Sequence, residues 1–451
     1  MKYAKVFKIE PKTRLIREET TIYGEWTLIE MAYNAILETN DYRGKAPNIS
    51  EFNILCAETD KYIEEREAEN RDKDSLPADL LGIWGMLGEQ IKIQNISHAL
   101  QNIARDLYIL FDIANEEQKE DYRKAVNHEI GTDWITVVSS LFLAWVCFQY
   151  GDLSLLASVQ WDDELKKEDF DKTIKYYTTD YKEVRSSALK RQIFYTKPFI
   201  KTQRGKIIAV NSYLVLNLYE HCVYWLVREY YRKNDSDKFI HEFGKLFEEY
   251  FRDMLECYIE KENYTRIEES KKEKRVDWQM DICGHCFLIE QKSSIINLAV
   301  KQQKINREDT IRFADNTIIK AMRQLRDNEA ANGKECIKII LLYEEYLIPE
   351  TLDYIFDLPE CDVTNDHSYW IVTIEEMEKL LYTYKHNRSK CEKLIRERIR
   401  RETEPIKGEG KRFQAIFHEL GIHANQHFEQ EKFKKYENAA QTFLKNRLPA
   451  Q

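Results

Sequence analysis

The stretch that most restricts what this chain can become is Arg275–Ile295, which reads RVDWQMDICGHCFLIEQKSSI. Val276, Trp278, Met280 and Ile282 alternate with Asp277, Gln279 and Asp281, so an extended segment would be apolar on one face and polar on the other. Gly284 allows a tight turn, and the apolar run Cys286–Ile289 ends in Glu290, Gln291 and Lys292. The pattern predicts two strands joined as a hairpin, with two turns open to it. If Cys283-Gly284 turns, Ile282 faces His285 and Asp277 stands opposite Glu290. If Gly284-His285 turns, Asp277 faces Lys292 and Glu290 lies diagonal to it. Paired residues project from one face with Cβ atoms about 5 Å apart. Both registers therefore gather two carboxylates and an ammonium at one end of the ribbon.

Carboxylates held this close repel unless a proton or cation lies between them, and a hard divalent ion meets that demand with oxygen ligands. Asp277 followed by Glu290-Gln291-Lys292 at the end of an apolar strand resembles the PD-(D/E)xK (restriction-endonuclease-like) nuclease superfamily. Within it, the spacing is most similar to restriction-type nucleases with Asp, a hairpin and (E/Q)xK. Val276 stands where the name-giving proline would be. Upstream, Phe243–Cys257 (FGKLFEEYFRDMLEC) has helical spacing, and Gly244, Phe247-Glu248 and Tyr250 resemble the superfamily's G-x-x-F-E-x-Y opening. Downstream, Asn316–Asp327 reads as a helix carrying Gln324, and Cys336–Tyr343 and Tyr369–Ile374 read as strands. The resemblance covers about Phe239–Leu381.

It implies an α/β fold: a helical N-terminal domain, a restriction-endonuclease-like αβββαβ core and a helical C-terminal tail. It also implies a Mg²⁺- or Mn²⁺-dependent endonuclease, with DNA ahead of RNA as substrate. Asp277 and Glu290 would hold the metal, aided by the Gln291 carbonyl and by Glu248 through water, with Glu249 as the alternative on that helix. Lys292 would orient the attacking water, and Asp281 is the reserve ligand. Gln324, Lys301, Lys304, Arg396 and Arg400 are the candidates for nucleic-acid contact. The build, a large N-terminal part on a nuclease core, is similar to that of bacterial restriction or anti-phage effectors. The resemblance leaves room for a homo-oligomer or a partner defence subunit.

The rest of the chain frames that core. Residues 1–191 read as mainly α-helical, 192–235 as a hairpin turning at Arg204-Gly205 plus a connecting helix, 236–384 as the nuclease domain and 385–451 as a basic helical extension. Few glycines (14) and prolines (8) with 43% hydrophobic residues predict an ordered, helix-rich protein. A net charge of −10 excludes a chain basic all over but leaves room for a local basic face. From Lys385 to Arg412, eleven Lys/Arg stand against five Glu. Such a run is either a solvated helix laced with i,i+4 ion pairs or a phosphate-contacting face beside the site. Trp134–Tyr150 is apolar enough to raise a membrane span. Ser139, Ser140 and Gln149 interrupt it and acidic residues flank it, so a buried core helix is expected and no membrane partner.

The N-terminus lacks an apolar export segment and the nine cysteines lie mostly isolated in apolar runs, pointing to reduced thiols and the cytoplasm. Cys283-Gly284-His285-Cys286 has the letters of a thiol-oxidoreductase motif, but that chemistry needs the first cysteine at a helix start, and strand follows here. A nuclease fold that binds or assembles without turnover is the other alternative.

Overall fold

The computed structural model describes residues 25–38, 48–69, 99–149, 156, 159–163, 165–202, 204–234, 236–267, 276–293, 314–343, 359, 361–364, 368–404 and 411–436. Lys301, Lys304, residues 78–98 of the expected long helix and residues 437–448 of the terminal helix lie outside them. The protein is mixed α/β, with two small mixed sheets among the described residues.

Helices dominate the first half: α1 (Glu25–Glu38), α2 (Ile49–Glu69), α3 (Ala99–Tyr108), α4 (Glu116–Ile130), α5 (Trp134–Gln149) and α6 (Lys167–Tyr176). An Asn115/Gln118 capping box starts α4 and a left-handed Gly131 ends it, which supplies partners for the backbone groups a helix leaves free at its ends. The apolar α5 is a core helix, with Val137, Leu141, Leu143 and Cys147 fully buried. Among the described residues no single helix is long and apolar enough to cross a membrane.

β1 (Thr178–Asp180) runs parallel to β2 (Phe199–Lys201), which forms the expected hairpin with β3 (Ile207–Ala209) through Gly205 at φ 73°. Residues 212–233, expected as one helix, are two: α7 (Ser212–Glu220) and α8 (Cys222–Lys233). The break is His221, turned out of helical geometry (φ −132°, ψ 24°) with its Nδ1 2.9 Å from Asp106 Oδ2.

Then come α9 (Lys238–Tyr258), β4 (Tyr264–Arg266), β5 (Trp278–Ile282), β6 (His285–Lys292), α10 (Lys320–Asn332), β7 (Ile337–Leu342) and β8 (Tyr369–Thr373). The five strands lie in sequence order in one sheet; β4, β5 and β6 are antiparallel, while β7 and β8 run parallel to β6. Cys283 (φ 51°) and Gly284 (φ 77°) both take the left-handed conformation that a two-residue hairpin turn matched to strand twist requires. That selects the register Ile282↔His285. β6 is central and covered on both faces, so its apolar run is continuous where that of β5 alternates. The chain closes with α11 (Ile374–His386), α12 (Arg388–Thr403), α13 (Phe413–Glu419) and a 3₁₀ turn at Gln426–Glu429.

One apolar cluster runs from Ala99 to Tyr436. It joins the N-terminal helices, α9, one face of the five-stranded sheet and the closing helices, so residues on both sides of the expected 192–235 boundary share a core. A second cluster, with Leu288, Ile318, Met322, Leu325, Ile340 and Leu342, fills the other face beneath α10. Each large apolar side chain so buried is worth about 1.5–3 kcal/mol, which makes the two-faced sheet a rigid platform.

Seven of the nine cysteines are free, as expected of reduced thiols, but Cys286 and Cys336 form a disulfide. The parallel register explains this exception: Phe287 pairs with Ile337, so the residues just before them face one another.

Candidate active site

Alternation along β6 sends Leu288 into the cluster under α10 and Phe287 and Ile289 into the cluster on the α9 side. Glu290 and Lys292 follow Leu288 in phase, so they lie on the α10 face, and Gln291 lies on the other. Lys292 Nζ sits 2.5 Å from Glu290 Oε1. Glu290 is 4% exposed, and its Oε2 is buried with no hydrogen-bond partner among the described residues.

Asp277 stands just before β5. Its amide donates to the Ile289 carbonyl (3.1 Å), and its carbonyl accepts from Ile267 (3.0 Å). Its Oδ2 accepts the Gln291 amide at 2.6 Å. Asp277 is thus bonded to the residues on either side of Glu290, Ile289 and Gln291.

The Gln291 side chain fixes this corner from behind. Its Oε1 accepts from Trp278 Nε1 (2.9 Å) and its Nε2 donates to the Phe247 carbonyl of α9 (3.2 Å). In a parallel ladder alternate residues bond to the neighbouring strand. Lys292 is such a residue, its carbonyl accepting from Tyr343 N at 3.1 Å, so the Gln291 carbonyl turns away from β7 towards the Asp277 side.

Burial pushes the Asp277 carboxyl up to about 7, and the Glu290 charge adds to it; the Gln291 amide, Lys292 and Arg266 oppose the shift. Burial also raises Glu290, against the pull of Lys292, a hydrogen bond with Gln324 and the charge of Lys320. Two acids, each disfavoured as an anion, therefore share one niche, with Lys292 and Lys320 both acting on Glu290. The oxygens on offer, two carboxylates and the Gln291 carbonyl, fit a hard divalent ion, and the unpartnered Glu290 Oε2 is a ready ligand atom. No group of three or more His, Cys, Asp or Glu side chains able to hold a metal occurs among the described residues, so water would have to complete the shell.

Glu248 has a cation partner on β4. Arg266 on β4 binds it at 2.6 Å and reaches Glu249 at 3.3 Å, while its guanidinium lies over the Trp278 ring on the α9 side of the sheet. Asp281, the reserve ligand, is held by Lys334 (2.7 Å) near the turn end. Gln324 does meet Glu290. Lys320, one helical turn earlier on α10, adds a cation that the sequence reading overlooked; its i,i+4 spacing from Gln324 was the available signal.

The basic helix lies on the opposite face from Glu290. Arg398 of α12 is buried over Trp370 (5.3 Å), a residue of the α9-side cluster. Arg396 is exposed, while Arg400 is bound by Glu397 (2.6 Å) and by Glu404. The ion-pair alternative thus describes much of this run. Cys283 and Cys286 do not pair with each other: Cys283 packs on the α9 side and hydrogen-bonds Cys391, while Cys286 points under α10 to Cys336. No family model, no curated protein and no solved structure matches the chain.

Proposed function

We propose that this chain is a Mg²⁺- or Mn²⁺-dependent nuclease of the PD-(D/E)xK kind, acting on DNA ahead of RNA. The observation that carries the reading is the buried niche in which Asp277 and Glu290 face each other with Lys292 on Glu290. The order α9-β4-β5-β6-α10-β7 supports it, since it follows the αβββαβ succession of that superfamily.

Asp277, Glu290 and the Gln291 carbonyl would hold the ion, which when bound supplies a polarised phosphate and an acidified water. Lys292 donates hydrogen bonds towards that water and offsets charge growing on the phosphate oxygens. Gln324 and Lys320 favour the charged form of Glu290 against its burial. The Gln291 side chain keeps the corner from shifting when substrate arrives. A role in restriction or anti-phage defence, a cytoplasmic setting, and a sensing or assembling N-terminal half belong to the same proposal.

The engagement of Glu248 by Arg266 favours a second reading, a fold that binds nucleic acid without turnover. Incubating the wild type, Glu290→Ala and Lys292→Ala with plasmid, linear and single-stranded DNA and with RNA, in Mg²⁺ or EDTA, separates the two. The nuclease reading expects Mg²⁺-dependent cleavage that each variant lowers on the order of 10²–10³-fold. Binding without cleavage in every arm supports the second reading.

A further inference from the structure

The carboxyl ends of β6, β7 and β8 lie side by side, and two consecutive residues of α3 reach across to them. Tyr343, the residue after β7, donates its amide to the Lys292 carbonyl at 3.1 Å and so closes the ladder at the last residue of β6. The Tyr343 hydroxyl donates to Asp106 Oδ1 on α3, and its ring stands edge-on to Phe243 (5.0 Å) and Phe247 (5.2 Å) of α9. The second oxygen of Asp106 meets His221 Nδ1, at the break between α7 and α8. The preceding residue, Arg105, makes two bonds of 2.6 and 2.8 Å to Glu378 on α11, the helix into which β8 runs. Tyr250 joins the same carboxylate at 2.6 Å. All of these side chains are buried.

This end of β6 needs outside support. Beyond Ile289 the β5 partner strand has ended, and only the Asp277 side chain takes the Gln291 amide. On the other side, Tyr343 makes the last backbone bond to Lys292.

We infer that α3 is a positioning clamp for the candidate site: by holding Tyr343, Asp106 fixes the end of β6 on which Glu290 and Lys292 stand. Asp106, Tyr343 and His221 touch no substrate in this scheme; they are positioning residues. The N-terminal half then forms part of the catalytic support, and a force on α3 is transmitted to Lys292 through the Asp106 and Tyr343 side chains. The catalytic consequence rests on the nuclease reading, whereas the mechanical part stands without it.

The test uses the full chain and the variants Tyr343→Phe, Asp106→Asn and Asp106→Ala, with hydrogen-exchange mass spectrometry beside DNA cleavage in Mg²⁺. Tyr343→Phe keeps the ring packing and removes only the hydroxyl. It should speed exchange about tenfold in peptides covering 286–293 and 337–343 while leaving those of α4 and α5 unchanged. It should also lower kcat by about tenfold with KM for DNA within about twofold, because no phosphate contact is lost. Asp106→Asn keeps an acceptor for Tyr343 and should stay near wild type, and Asp106→Ala should match Tyr343→Phe. Wild-type exchange in Tyr343→Phe and Asp106→Ala, or equal losses in Asp106→Asn and Asp106→Ala, overturns the clamp. If the wild type cleaves nothing, the nuclease reading falls while the exchange data still decide the clamp.

Discussion

Replacing Asp277 by Asn should make the metal-free protein more stable at pH 8 and leave it unchanged near pH 4. The Asp277 carboxyl is raised from an ordinary 3.8 to about 7. Between those values the folded chain keeps a proton that the unfolded chain has released, so stability falls as pH climbs and levels off above about 7. At 1.36 kcal/mol per pH unit the full effect is roughly 4 kcal/mol, an upper figure because buried charges draw in water and relax. The raw pH profile will not display it, since His427 acts in the opposite sense. Burial lowers that imidazole from 6.5 to about 4, so the unfolded chain takes the proton first and stability rises with pH across that window. The difference between wild type and Asp277→Asn isolates the carboxyl. Urea unfolding in EDTA at pH 4, 6, 7 and 8 should give a gap that opens with pH to about 2–4 kcal/mol. Mg²⁺ at a hundred times its dissociation constant should then stabilise the wild type by about 2.7 kcal/mol and the variant far less. A gap that does not change with pH, or equal stabilisation of both proteins by Mg²⁺, would refute the shared-niche argument.

Three shorter expectations follow from the same geometry. Gln291→Leu strands the buried Trp278 Nε1 and removes the bond from Gln291 to the Phe247 carbonyl, and should cost about 1–3 kcal/mol in chemical unfolding. Glu248→Ala should lower cleavage by less than about tenfold, against on the order of 10²–10³ for Glu290→Ala; equal losses would restore Glu248 as a ligand. Reducing Cys286–Cys336, 50 residues apart in sequence, should lower stability by up to about 4 kcal/mol on loop-entropy grounds, read as a shift in the urea midpoint with reductant.

The parts of this molecule that sequence discloses are those set by neighbours along the chain. Val276 to Ile289 announce a ribbon because alternation and a turn glycine are local properties, and α9 shows itself through the spacing of Phe243, Phe247, Tyr250 and Met254. The choice between the two registers was not local: it depended on Cys283 accepting a positive φ, which a cysteine seldom does. His221 breaks an otherwise uniform helix for the sake of Asp106, 115 residues away, and no propensity carries that information. Arg266 claims Glu248 from a three-residue strand too short to announce itself. The charge count across 385–412 was right while its meaning was hidden, because Arg398 stacks inside the core and Arg400 is already neutralised. Cys286 found Cys336 through the crossover that sets β6 beside β7.

The charge distribution of the niche explains why two acids, with lysines beside Glu290 alone, suit the proposed chemistry. Lys292 covers Glu290 Oε1 and Lys320 adds its charge to the same carboxylate, whereas Asp277 is bonded by the neutral Gln291 amide, so with both acids ionised the poorly offset charge is the one on Asp277, in surroundings too dry to tolerate it. Near pH 7 a proton on Asp277 removes the imbalance, and a protonated Asp277 is a poor ligand. A divalent ion in place of that proton would bring net positive charge to the niche, the sign that a phosphodiester's negative charge complements. Binding of ion and substrate would then support each other, and ion affinity should rise as pH passes through 7. A second fixed cation on Asp277 would have removed the imbalance permanently and with it any reason for the site to hold a metal. Arg266 approaches that role, since its charge favours the Asp277 carboxylate, yet Glu248 and Glu249 bind its guanidinium over the Trp278 ring. Glu248 thereby helps to keep Arg266 from Asp277, and Glu248→Gln should weaken ion binding, read as a higher Mg²⁺ dissociation constant, by freeing Arg266 to move towards Asp277.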